Sequence, residues 1–326
     1  MSRLFKIWNN FWFRPAPLVN LAVIRIVAVS LQLWLITMER LTIMQVSRMV
    51  TLPDTLYQPL LILRLLALPF GESFKPAPET FQVIATLTII AGVMAFIGLF
   101  TNFSLLVFTL GNLIIIALNY SFGEFHHPDA LMMFTLIALT LSPSGRVLSI
   151  DSWIRRKQVG SSAENGGSYS ILEARSMFAR WPVKLIQCFY GLIYLSSAVA
   201  KMHNAGTDWM NGYTLRFNLL DSGVRPVYPL GMWLGGQQEL AVIASWMTFL
   251  FEGTFWLVPI FPRLAWLYVP AGIAIHLGIF LTMGPDFFEF IALYIVFIPW
   301  ASAFKFVRGK LYQKKYVPEM EPSQGF

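Results

Sequence analysis

Residues 264–283 read LAWLYVPAGIAIHLGIFLTM, twenty residues without one Asp, Glu, Lys or Arg. A helix rises about 1.5 Å per residue, so this stretch matches a hydrocarbon core roughly 30 Å thick. Working outward from it, the rest of the chain repeats the pattern. Seven further mainly apolar stretches lie near residues 16–38, 80–100, 102–119, 128–143, 184–201, 238–259 and 287–304. Across 326 residues, 56% are hydrophobic and 13% charged, against about 25% charged in a soluble domain. The expected fold class is therefore all-α, a multi-pass transmembrane helix bundle of about eight spans, with membrane lipids as its surroundings. The net charge of +7 reads as a topology signal rather than a nucleic-acid footprint, and no nucleic acid is expected as a partner. The lone cysteine, Cys188, lies in an apolar run and reads as a small buried filler.

Counting Lys and Arg on alternate sides puts sixteen on the side that carries both termini and seven on the other, with Arg25 inside the first span. That asymmetry predicts both termini in the cytoplasm. The first span is too long for a signal-peptide core and lacks a cleavage site, so it is expected to be retained. Residues 1–310 then form one membrane domain. They include a flexible cytoplasmic linker over 151–183, marked by RRKQVGSSAENGGSYS, and residues 311–326 are a short cytoplasmic tail. The N-terminal FKIWNNFWFRPAP mixes aromatic and basic residues as an interfacial anchor does. LYQPLLILRLLALPF, over 56–70, is too short to span and is expected along the outer interface or over a cavity mouth.

Ionisable residues in or beside a span are functional candidates by default. His126, His127, Lys201, His203, Asp208, Asp286 and Glu289 all map to the outer half under this topology, with His276 deeper in its helix. They predict one outward-facing polar cavity. Arg25 and Glu252 read as structural buried charges: Arg25 neutralises a carboxylate or caps carbonyls, and Glu252 is a candidate partner for a buried base. Adjacent histidines on a helix point about 100° apart, and no HxxxH or CxxC spacing occurs, so no metal site is expected.

Within AVAKMHNAGTDWMNGYTL, residues 198–215, Lys201 closes an apolar run. Alone, it could snorkel its amine to the headgroups. At the edge of a semi-dry cavity, desolvation disfavours an ammonium and frees an amine for general-base or nucleophilic work. A neighbouring imidazole could orient it.

YLSSAVAKMHNAGTDWMNGYTL resembles the lysine-turn motif of vitamin K-dependent γ-glutamyl carboxylases and the related HTTM membrane proteins. The resemblance extends through VIRIVAVSL, MERL, FHHPDALMMF, SIDSW and AIHLGIFLTMG, in that order along nearly the whole chain. It implies that Lys201 is a catalytic base that deprotonates a hydroquinone of the vitamin K or menaquinol type, and that His127 assists it. It places His276 in the same pocket, with His126, His203, Asp208 and Trp209 as further substrate-binding candidates. Three departures stand out: Ala200 replaces a second lysine, the MHNAGT turn is longer, and the large lumenal region that follows the spans in the carboxylases has no counterpart here. The implied function is thus a carboxylase-like or quinol-linked membrane enzyme acting on an amphipathic molecule, with a peptide or small molecule as further substrate. A non-enzymatic HTTM protein in secreted-peptide maturation, export or immunity is the alternative. A transporter is a third reading, although no paired broken helices or inverted repeat mark one. A bacterial inner membrane, with the pocket facing outside, is the expected location.

Overall fold

The computed structural model describes residues 3–68, 74–123, 128–160, 171–223 and 229–315. Its helices, in chain order, are α1 (Arg3–Phe13), α2 (Leu18–Trp34), α3 (Thr42–Met49), α4 (Leu61–Ala67), α5 (Pro78–Ile97), α6 (Thr101–Ser121), α7 (Pro128–Thr140) and α8 (Ile150–Gly160). They continue with α9 (Arg180–Ala205), α10 (Tyr213–Gly223), α11 (Pro229–Gly235), α12 (Gln238–Thr254), α13 (Ala265–Met283), α14 (Phe288–Leu293) and α15 (Trp300–Lys315). The strand content among the described residues is one two-residue antiparallel pairing, Ala16–Pro17 against Arg175–Ser176. The fold is an all-α membrane bundle.

Among the described residues, six helical segments are long and apolar enough to cross a bilayer. A seventh forms if Phe288–Phe297 and Trp300–Arg308 are one span bent by 74°. This differs from eight uniform spans at two places. The fourth expected span is α7, with only 13 residues, or roughly 20 Å of rise. The last is broken where Ile298 turns extended ahead of Pro299, because a residue before proline is driven out of the helical region. Among the described residues this is the one span broken in this way, whereas a transporter repeat would supply a matched pair.

The outside of the bundle is what a hydrocarbon solvent demands. In the Pro262–Met283 segment only 11% of the apolar window is buried inside the protein, and Trp266 and Leu267 are 84% and 67% exposed. A helix that apolar and that bare is stable only against lipid. The inward faces form one large core, to which Leu21, Ile24, Phe108, Leu136, Tyr190 and Phe255 contribute. A smaller one sits under α3 and α4 around Val46, Leu63 and Phe81. The 56–70 stretch, as far as it is described, thus packs Leu63 into this second core while Leu61 and Leu65 stay exposed.

The stretch expected as a linker contains several kinds of backbone. Residues 150–160 are helical, 175–176 pair with 16–17, and α9 begins at 180; residues 161–170 lie outside the described set. Around it a polar joint fixes α2, α5, α6 and α8 together. Arg25 is wholly buried and donates to the Ser144 carbonyl at 3.3 Å and the Leu148 carbonyl at 2.6 Å. Asp151 accepts from the amides of Phe100 and Thr101 and from the Thr101 hydroxyl at 2.7–2.9 Å, closing the exposed N-terminus of α6 from a distance of fifty residues in sequence. Burial works to raise the Asp151 carboxyl. The hydrogen bonds from Thr101 and Phe100 outweigh it and hold the carboxyl below its ordinary value. Gly98 ends α5 with φ +74°, and a Cβ there would overlap Ser149 and crowd the Arg25 guanidinium. Glycine is required on both counts.

Candidate functional site

α9 presents Tyr194, Ser197 and Lys201 at i, i+3 and i+7, one stripe on one helix face. The stripe meets α12 and α13. Lys201 Nζ lies 2.5 Å from Glu252 Oε2 and 2.9 Å from Ser197 Oγ, and Ser197 Oγ donates to Glu252 Oε1 at 3.2 Å. The lysine and glutamate side chains are 18% and 12% exposed, so the pair is largely withdrawn from solvent. The Trp209 ring faces the ammonium at 5.0 Å, within cation–π range.

Seven residues earlier, Tyr194 Oη lies 2.7 Å from His276 Nε2 and 2.5 Å from Tyr294 Oη. His276 is buried, and its Nδ1 has no hydrogen-bond partner among the described residues. Gly272 makes this packing possible: any side chain there would overlap the Tyr294 hydroxyl. Phe287 and Phe290 stand against the imidazole at centroid distances of 4.9 and 5.1 Å.

Between these two polar groups lies a cavity of about 610 Å³, within the range of small-molecule sites. Its walls are Ile193, Phe251, Ile275, Ile279, Phe287 and Phe290, and its polar atoms come from Tyr194, Ser196, Ser197, Thr248, Glu252 and His276. Lys201 touches it through Glu252 and Ser197 rather than lining it. Such a lining, apolar walls with a few polar atoms, suits an aromatic ring bearing hydroxyls or carbonyls.

One edge of the cavity is set by a second charged group. α2 ends in a π-helical turn, Leu35–Glu39, followed by Leu41 at φ +49°, an irregularity of the kind found where a side chain must be re-aimed. It delivers Arg40 to three carboxylates. Arg40 Nη1 bonds Glu289 at 2.5 Å and Asp129 at 3.1 Å, while Nη2 bonds Asp286 at 2.9 Å and Glu289 at 3.0 Å. Tyr120 donates to the other Asp129 oxygen at 2.9 Å. Glu289 is fully buried between Phe288 and Phe290 in sequence, and Ala130, next to Asp129, lines the cavity. Burial works against the Arg40 charge, but its carboxylates more than restore it and raise its pKa.

The structure brings Lys201, Glu252 and Trp209 together and sets His276 across the same cavity. It does not bring His203 or Asp208 there: both are exposed, with no side-chain hydrogen bond or ion pair among the described residues. Two residues on from Lys201, His203 points to a different helix face. His126 and His127 lie outside the described residues. Ser197, Tyr194 and Tyr294 were not among the residues singled out from sequence. The i, i+3, i+7 stripe through YLSSAVAK is the signal that finds the first two; Tyr294 has none, since its contact depends on a glycine in another helix.

No curated protein and no solved structure matches the chain. A family model for the HTTM domain, by contrast, matches residues 13–301, from the end of α1 to the start of α15. That interval holds every residue of the cavity, the Arg40 cluster and the Lys201 pair. The chain is an integral membrane protein, and it belongs to the HTTM domain family.

Proposed function

We propose that the cavity binds an amphipathic, hydroquinone-type substrate and that Lys201 removes a proton from its hydroxyl. One observation carries the reading: Glu252, bonded to Lys201, and His276 line the same apolar-walled cavity. Lys201 and Glu252 can be an ammonium and a carboxylate, or an amine and a carboxylic acid. Removal from water penalises the first form and narrows the gap between them. In the neutral form the substrate proton passes to the Ser197 hydroxyl, which lines the cavity, as Ser197 gives its own proton to the Lys201 amine. His276 and Tyr194 offer a polar contact for the far oxygen of a two-oxygen ring, and the phenylalanines take the ring and its tail. The carboxylase-like lysine motif supports the same assignment for Lys201 and extends it to His127. The less basic end of the bundle, read as the outer face of a bacterial inner membrane, would hold the site.

Mass spectrometry of lipid co-purifying with the protein tests the binding claim. A naphthoquinone or related quinol is expected in the wild-type protein and depleted in His276→Phe. Anaerobic incubation with a reduced naphthoquinone tests the chemistry, with Lys201→Ala expected to lose the substrate-dependent spectral change. Phospholipid alone in the cavity, or turnover unaffected by Lys201→Ala, would refute the proposal.

A further inference from the structure

A second cavity, about 210 Å³, sits at the opposite end of α9. That is several times the roughly 30 Å³ a water takes up in the liquid. One face of α9 lines it with Arg180, Lys184 and Gln187, at i, i+4 and i+7, and Asn20 of α2 faces them. The donors outnumber their partners. Lys184 is only 6% exposed, yet among the described residues its Nζ makes a single hydrogen bond, to the Pro259 carbonyl at 2.5 Å, and lies 5.0 Å from the Phe11 ring. Arg180 donates its Nε to the Phe11 carbonyl at 2.7 Å, and its two terminal nitrogens bond no described residue. Gln187 donates to the Val296 carbonyl, and Asn20 uses its oxygen for the Ala301 amide, leaving the Asn20 amide hydrogens spare.

Arg14 and Lys184 both lie within electrostatic range of Arg180, and Cys188 is one turn from Lys184. No carboxylate pairs with any of the three cations among the described residues. The nearby Glu173 is engaged with Lys305 at 3.8 Å. Burying the Lys184 ammonium beside a half-buried guanidinium is costly unless an anion joins them. Through Phe11, α1 packs against Arg180 and Lys184, and its Leu4, Ile7 and Trp8 are 77%, 58% and 59% exposed. α1 has no buried residue, as in a helix lying in the membrane interface. The depth is therefore that of lipid phosphates, and a fork of guanidinium with an ammonium suits a phosphate oxyanion.

We propose that this cavity is a phosphate-oxyanion site, occupied by the phosphodiester of an anionic phospholipid headgroup and bracing α1 against α9. Native mass spectrometry of the full chain, released from micelles containing phosphatidylglycerol or phosphatidylcholine, gives the test. The wild type is expected to retain phosphatidylglycerol at least tenfold more than phosphatidylcholine. Arg180→Gln/Lys184→Gln is expected to erase that preference, whereas Arg180→Lys/Lys184→Arg keeps it, with helical circular dichroism unchanged in both. Inorganic phosphate separates the sources. If it raises the melting temperature as far as phosphatidylglycerol does, the ligand is soluble phosphate; if only phosphatidylglycerol does so, it is the lipid. Equal retention of the two lipids together with no response to phosphate, or a preference that survives Arg180→Gln/Lys184→Gln, overturns the proposal.

Discussion

Arg40 and Lys201 are both largely buried cations held by carboxylates beside one cavity, yet they are held in opposite ways. Arg40 spreads its two terminal nitrogens over Glu289, Asp286 and Asp129, with the fork geometry that only a guanidinium offers. Lys201 has one carboxylate and one hydroxyl. A guanidinium does not give up its proton in a protein, so the Arg40 group is a fastening. An ammonium against a single carboxylate can exchange one, so the Lys201 group can do chemistry. The same ingredients thus yield a clamp or a proton-handling pair, depending on the cation and the number of its partners.

The largest expected effect tests the clamp. Arg40→Ala leaves three carboxylates together, one of them fully buried, and should cost about 3–5 kcal/mol, seen as a large drop in melting temperature in detergent. Arg40→Lys should recover only part, because one ammonium cannot reproduce the bidentate contact with Glu289. A wild-type melting temperature for Arg40→Ala would show that the two groups do not differ as described.

Next comes the hydroxyl between His276 and Tyr294. Tyr194→Phe removes the partner of two buried polar groups and should destabilise by about 1–3 kcal/mol. It should also weaken quinol retention with Lys201 intact, which would separate binding from proton transfer. If stability falls and retention does not, His276 serves packing rather than the ligand.

At the basic end, Asp151→Asn keeps an acceptor oxygen but loses the charge at the α6 N-terminus, and should cost roughly 0.3–1 kcal/mol. Its carboxyl is held below the ordinary value when folded. The charge's stabilisation is therefore complete at neutral pH, begins to fall as the pH drops through the ordinary carboxyl value and is gone once it has passed below the folded one, where both states are protonated. Chemical denaturation of the two proteins should diverge at neutral pH and converge in acid. A gap that is constant with pH would mean that the amide geometry, not the charge, matters.

These groups were unequally legible in the sequence. Uncharged stretches twenty residues long announce spans, because each charge in hydrocarbon is costly, and Lys201 stands out against that background. The fourth stretch, 128–143, was already the short one in the sequence, and in the structure α7 covers 13 residues of it. Arg40 was visible as a loop cation, but its partners lie 89, 246 and 249 residues away, and no periodicity encodes contacts between distant helices. Glu252 stood out as a buried charge whose partner, 51 residues back, only the packing of α12 on α9 identifies. His203 shows the converse: a shared outer-half position grouped it with Lys201, and in the structure it is exposed on another face of α9.

The smallest stability effect is the most discriminating. Lys201→Met alone strands a buried carboxylate, and Glu252→Leu alone strands an ammonium, so each should destabilise. Lys201→Met/Glu252→Leu replaces the pair with apolar groups of similar bulk in a lipid-facing protein, and such swaps are often neutral or stabilising. The double variant should therefore melt within about 1 kcal/mol of the wild type while losing every quinol-dependent signal. The same exchange at the Arg40 cluster has no such solution, because four charged side chains from three parts of the chain would have to change together. A double variant that melts like the wild type and still turns over substrate would show that the Lys201 pair neither fastens the fold nor takes the proton, which would have to be taken elsewhere in the cavity. One that melts like the wild type and is inert would separate the two groups by function, since removing the pair would then have cost only the chemistry.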